Sequence, residues 1–284
     1  MDNLKVAAVC MTAVPGEVEK NLARMQTFVL NASAEGADII CFPELSVTGY
    51  PLKQIDGIYK GFDYRRVLDR IIRMAKDAQM VIIAGLIEIS EGQAPYITQA
   101  AAGPNGLIGH HRKTHLSPTE QGSYQAGREI ETFFHKNTNF GIQLCYESHF
   151  PEISTIMALM GAHIIFLPHA SPRGVPEQKF KSWLRHLPAR AYDNGVFLVA
   201  CNQVGKPSNG FSFPGVAIVI GPDGHVISSY RGNEEKILFA ELKAEPLRNI
   251  RQHKMKYFLP QRRSELIKKY VLNTNYPDSP VAKR

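Results

Sequence analysis

The chain has 284 residues, 44% of them hydrophobic and 21% charged, with 33 Lys and Arg against 26 Asp and Glu for a net charge of +7. This ordinary globular mixture excludes a disordered chain, and four cysteines are too few for a disulfide scaffold. No apolar run approaches the roughly 18 residues of a membrane-spanning helix, and MDNLKVAAVCMT lacks the basic leader of a signal peptide, so the expectation is a cytoplasmic protein with reduced thiols and no membrane contact.

In chain order, residues 4–12 read as a buried strand. Val18, Leu22, Met25, Val29 and Ala32 lie at helical spacing within 16–35, and Gly36 suits a C-cap. DIICF (38–42) is a short strand ending at Pro43, 64–78 repeat the helical pattern, and 80–89 form another strand. PYITQAAAG and LIGHHRKT flank Pro-Asn-Gly, which predicts a hairpin, and ETFFH with NFGIQLCY predicts a second. A helix over 152–160 precedes a strand over 162–168 and a helix over 177–193, which Pro188 should kink or interrupt. A strand over 196–202, a hairpin around Pro-Asp-Gly within 215–230, a strand over 235–242 and a short helix with a tail complete the chain. Strands alternating with helices and interleaved with hairpins predict an α/β fold with two mixed sheets flanked by helices in one domain, 1–284. The apolar residues of the tail, about 250–284, suggest packing on a partner subunit. Its basic segments 251–256 and 261–269 read as solvated rather than as a nucleic-acid surface.

In α/β folds functional groups gather beyond the carboxyl ends of strands. Here those ends deliver Glu44 after DIICF, Lys113 after LIGHHR, Cys145 after NFGIQL, and His169 with Ser171 after AHIIFL. A thiol is a strong nucleophile once ionised. A carboxylate can take its proton, and an ammonium favours the thiolate and holds an oxyanion on the attacked carbon. An acid, an ammonium and a thiol at three strand ends therefore suit attack on an amide, carbamoyl or nitrile carbon. Cys10, Cys41 and Cys201 lie inside apolar strands and read as core; Cys145 differs because the polar turn YESHFPE follows it.

Three segments carry a resemblance to the carbon–nitrogen hydrolase family, or nitrilase superfamily. FPELSVTGYP (42–51) is similar to its glutamate motif, HRKTHLSPTEQGSYQAG (111–127) to its lysine motif, and GIQLCYESHFPE (141–152) to its nucleophile motif. The likeness continues through 185–205, 213–227 and 258–266, in the family's order. It implies an α-β-β-α sandwich whose subunits pair into dimers or larger homo-oligomers. It implies Glu44 as general base, Cys145 as nucleophile, Lys113 as oxyanion stabiliser with the Tyr146 N–H, and Glu120 as a second acid that orients the site. No metal or organic cofactor is implied. The expected activity is hydrolysis of a small-molecule amide or N-carbamoyl compound, releasing ammonia through a cysteine thioester; a nitrilase or a silent interaction module is the alternative. Tyr146-Glu147 follows the nucleophile, where N-carbamoyl-acting relatives often carry Trp-Asp or Asn-Asp and nitrile-cleaving relatives Trp-Glu. That departure leaves the branch open and leans toward an amidase or ω-amidase. Arg173 is placed to pair a substrate carboxylate, Tyr50 to line the pocket, and Glu147 to support a turn or salt bridge. Trp183 reads as core or subunit contact.

Two other chemistries compete for the same residues. A Cys–His enzyme would use His149 or His169 and need neither Glu44 nor Lys113. A metal site would use His111 and His115, four apart, if that segment were helical.

Overall fold

Why these strands divide between two sheets follows from their residue pattern. In β1 (Leu4–Cys10), Val6, Ala8 and Cys10 face one apolar layer while Ala7 and Val9 face another, so both faces of the strand are buried. A strand buried on both sides must sit between two layers. The computed structural model describes residues 1–51, 59, 62–89, 93–207 and 210–271, and its described strands form two six-stranded sheets.

The first sheet orders β12 (Lys236–Leu242), β1, β2 (Ile39–Cys41), β3 (Val81–Glu88), β4 (Tyr96–Gly103) and β5 (Gly106–Arg112). The second orders β11 (Val226–Gly232), β10 (Gly215–Ile220), β9 (Phe197–Asn202), β8 (Ile164–His169), β7 (Thr138–Ile142) and β6 (Thr132–His135). In each sheet three central strands run parallel and the outer strands are antiparallel. The predicted hairpins are β4–β5, β6–β7 and β10–β11.

Helices cover the outer faces. On the first sheet lie α1 (Val18–Ala34), through Leu22, Met25, Val29 and Ala32, and α2 (Tyr64–Ala78), through Val67, Ile71, Met74 and Ala75. Gly36 ends α1 at φ +72°, where its N–H donates to Ser33 O at 2.9 Å. Asp63 caps α2 by accepting from the Arg66 N–H at 3.1 Å. On the second sheet lie α3 (Pro151–Leu159), α4 (Pro176–Trp183) and α5 (Leu187–Asn194). The helix predicted over 177–193 is thus two helices. Pro188 lies in the first turn of α5, where its missing N–H breaks no hydrogen bond. The result is the expected α-β-β-α sandwich, with Phe140, Phe166 and Phe197 among the residues packed between the sheets.

Beyond α6 (Ala244–Gln252) the chain returns to its own second sheet. Leu259 is buried in that sheet's helix layer with Tyr257 beside it, while Phe258 and Leu266 stay partly exposed. Arg251 is not solvated: its Nη2 donates to Ala162 O at 2.5 Å and its Nε to Gly195 O at 3.2 Å. A last helix, α7 (Ser264–Val271), ends the described chain, so the part of the tail from 272 to 284 lies outside the described residues. Among the described residues no helix is long and apolar enough to cross a membrane.

Candidate active site

Four strand ends meet at one edge of the sandwich. After β2 the chain turns through Pro43-Glu44-Leu45, with Leu45 at φ +54°. The turn rests on β3, where Val47 N–H donates to Gly85 O at 2.8 Å and Gly85 N–H to Ser46 Oγ at 3.1 Å. Lys113 continues the β5 ladder, donating its N–H to Ile97 O at 2.9 Å. Cys145 opens a tight 3-10 turn, Cys145–His149, at φ +41°. A non-glycine residue in this region carries about 1–3 kcal/mol of strain, which the surrounding contacts must offset.

Those contacts centre on Glu147, fully buried two residues on. Its carboxylate accepts from Leu144 N at 2.5 Å, Thr114 N and Oγ1 at 2.6 Å each, and His111 Nε2 at 2.9 Å. Burial alone would raise its pKa, but His111, Thr114 and the Leu144 N–H outweigh burial and hold it down at about 2. Glu147 therefore joins the lysine loop to the cysteine turn, the salt-bridge and turn role the sequence left open.

Lys113, 1% exposed, lies between two carboxylates: Nζ is 2.7 Å from Glu44 Oε1 and 2.6 Å from Glu120 Oε1. Glu120 Oε2 accepts from Ser117 N at 2.7 Å and Oε1 also from Tyr50 OH at 3.1 Å. Glu44 Oε2 accepts from Ala170 N, past the end of β8, at 3.0 Å. Burial would lower the Lys113 pKa, yet Glu44, the Cys145 sulfur and Glu120 hold it well above the ordinary lysine range. Burial raises the Glu44 carboxyl, Lys113 pulls it down, and Glu120 adds to the rise; the net shift is upward. Burial and the Glu44 charge likewise push the Cys145 thiol up, against the pull of Lys113. The resting site thus holds a neutral thiol beside a permanent ammonium and a carboxylate of raised basicity.

Above it opens a cavity of about 570 Å³, lined by Lys113, Glu120, Cys145 and the predicted Tyr50 and Tyr146. Arg173 lines the mouth and is exposed. The structure therefore brings together all the singled-out residues, with Glu44 directly behind Lys113. Sequence reasoning missed Lys179 as a lining residue; Trp183 is in the core of the second sheet's helix layer, in keeping with the core-or-contact expectation, and lines the cavity as well. The Trp183 ring is buried and tilted against His169, with centroids 4.5 Å apart. The competing chemistries find no geometry among the described residues. His169 Nδ1 is engaged by Leu167 O at 2.8 Å, His149 stacks on His186, and neither hydrogen-bonds Cys145. His111 belongs to β5 and His115 to the following loop, so the two do not share a helical face.

The profile of the family described as carbon-nitrogen hydrolase matches residues 5–252. The chain belongs to the carbon–nitrogen hydrolase family. As such it is a hydrolase of carbon–nitrogen bonds. It is 29% identical over 269 residues to a nitrilase of Pyrococcus abyssi, covering 92% of this chain and 98% of that one. It is 30% identical over 241 residues to a 2-oxoglutaramate amidase of Bacillus subtilis, covering 84% and 90%. In fold this carbon–nitrogen hydrolase matches the amidase from Nesterenkonia sp. AN1 with a TM-score of 0.82 at 23% identity, over 94% of this chain and 96% of that one. That structure is a mutant with the acetamide moiety of fluoroacetamide added covalently at its active-site cysteine.

Proposed function

We propose that the enzyme hydrolyses small-molecule amides, ω-amides or N-carbamoyl compounds, releasing ammonia through a thioester on Cys145. The observation that carries this reading is Lys113 held between Glu44 and Glu120 beside a strained cysteine turn at the floor of the cavity. Glu44 takes the thiol proton as sulfur attacks the amide carbon, its raised pKa making it a better base than an ordinary carboxylate. The oxyanion is held by the Lys113 ammonium and the Tyr146 N–H. Glu120 orients Lys113. Protonated Glu44 returns its proton to the departing nitrogen, leaving a thioester. Glu44 then deprotonates a water that attacks the thioester, and the thiol regains its proton as the acid leaves.

The test is ammonia release from simple amides, ω-amides, N-carbamoyl compounds and nitriles, with Cys145→Ala as the blank. The expected result is turnover of at least one amide or carbamoyl substrate and none in the variant, whose thermal midpoint stays near that of the parent. Turnover retained in Cys145→Ala, or confined to nitriles, overturns the reading.

We also propose that the enzyme works in the cytoplasm as a homodimer or larger homo-oligomer. Four free thiols support the compartment. Leu159 and Met160 at the end of α3, and the Tyr192–Phe258 ring pair, are exposed apolar groups that a second copy would cover.

A further inference from the structure

Burying an ammonium without a carboxylate partner is unfavourable, so a buried lysine of this kind in a cavity wall calls for a use of its charge. Lys179 on α4 is 8% exposed and lines the cavity over Cys145. Its Nζ donates to Ser171 Oγ at 2.6 Å, and among the described residues it forms no ion pair. Among the described residues no carboxylate is recorded as acting on it, and the neighbouring Arg173 guanidinium disfavours its charge. Ser171 is itself fixed, since its N–H donates to Asn202 Oδ1 at 2.8 Å and its carbonyl accepts from Asn202 Nδ2 at 3.1 Å. Asn202 is fully buried and also donates to Pro214 O at 2.8 Å. Among the described residues the cavity wall contains one acid, Glu120, and that acid is already occupied by Lys113, Tyr50 and Ser117. The described wall therefore offers positive charge without a carboxylate partner and no unoccupied carboxylate.

We propose that Lys179, positioned by Ser171 and Asn202, determines specificity by receiving a carboxylate at the substrate end remote from the scissile amide, so that anionic amides are preferred to neutral ones. This rests on the amide-hydrolase reading above. Arg173 adds a second cation at the mouth, but an exposed pair in high dielectric contributes little beside a buried, charge-assisted hydrogen bond. Burial also lowers the Lys179 pKa, as does Arg173, which is the direction expected of a cation awaiting its counter-ion.

Glutaramate and valeramide share a five-carbon chain and a terminal amide and differ only in the remote carboxylate. The test is the ratio of kcat/KM for glutaramate to that for valeramide, measured on one sample so that any misfolded fraction cancels. The expected result is a ratio above one in the parent, lowered about tenfold or more in Lys179→Met mainly through KM, and largely restored in Lys179→Arg. A ratio that Lys179→Met leaves unchanged, or a parent enzyme that prefers valeramide, overturns the proposal. Calorimetric binding of glutaramate to Cys145→Ala, with and without Lys179→Met, separates it from the catalytic reading. Lys179-dependent binding without any ammonia release in the parent defeats the hydrolase mechanism alone. Hydrolysis of both amides at a ratio indifferent to Lys179 defeats the specificity role alone.

Discussion

Two buried carboxylates share one ammonium at Lys113, and the arithmetic of that sharing makes a prediction. With both acids ionised the trio carries a net negative charge, and the Glu120 charge adds to the burial that already holds Glu44 above the ordinary carboxylate range. In Lys113→Met the like charges lose their counter-ion, and one carboxyl takes up a proton in the folded state. A carboxyl with a folded pKa above its unfolded value favours folding below the unfolded pKa, about 4.3, and loses that advantage as pH rises toward the folded pKa. Lys113→Met is therefore expected to be inactive and less stable at neutral pH by about 3–5 kcal/mol, the usual cost of removing one partner from a buried pair. Its denaturant midpoint should fall more steeply than the parent's between about pH 5 and pH 7. Parallel pH profiles for parent and variant would mean that Lys113 does not hold the two carboxyls ionised.

The elements carry these residues by a few close approaches. Gly85 in β3 lies directly under the Glu44 turn, where an added Cβ would meet Leu45 N at 2.3 Å and Gln99 Oε1 at 2.5 Å. Gly85→Ala must push the turn away, costing about 1–3 kcal/mol of stability by overpacking. Because Glu44 moves with the turn, kcat for ammonia release should fall at least about tenfold, the scale on which small displacements of a catalytic group act. Unaltered kcat with a lowered thermal midpoint would show that the turn yields without moving Glu44. The elements themselves were legible because their signals are local. Pro-Asn-Gly and Pro-Asp-Gly mark two hairpins, Gly36 marks the end of α1, and Pro188 marks the break between α4 and α5. Glu44, Lys113 and Cys145 were legible as polar residues following apolar strands, with family motifs around them. The turn or salt-bridge role of Glu147 was legible but its partners were not, because the His111 and Thr114 that hold it lie 36 and 33 residues away. Nor was the place of Lys179: in sequence it is one polar position among several on a short helix, and only the packing of α4 against the second sheet turns it toward the cavity.

At the scale of the whole molecule, the site is divided between the sheets. Glu44, Lys113 and Glu120 follow strands of the first; Cys145, Ala170 and Ser171 follow strands of the second. The halves are joined by Ala170 N–H to Glu44 Oε2 at 3.0 Å, Gln203 Nε2 to Glu44 O at 2.9 Å, and the Glu147–His111 contact. Their alignment therefore depends on the layer between the sheets, where Phe166 meets Phe140 edge to face at 5.7 Å. Phe166→Ala opens a cavity in that layer and is expected to cost about 3–5 kcal/mol. Ile71→Ala on α2 opens a cavity in the outer layer of the first sheet and should cost about 2–5 kcal/mol. Measured well below either melting midpoint, where both variants are folded, kcat should fall several-fold more in Phe166→Ala than in Ile71→Ala. The reason is that only the inner cavity lets one half of the site shift against the other. Equal losses of kcat at comparable losses of stability would mean that the loop contacts alone fix the geometry, and that sheet packing sets stability without setting the site.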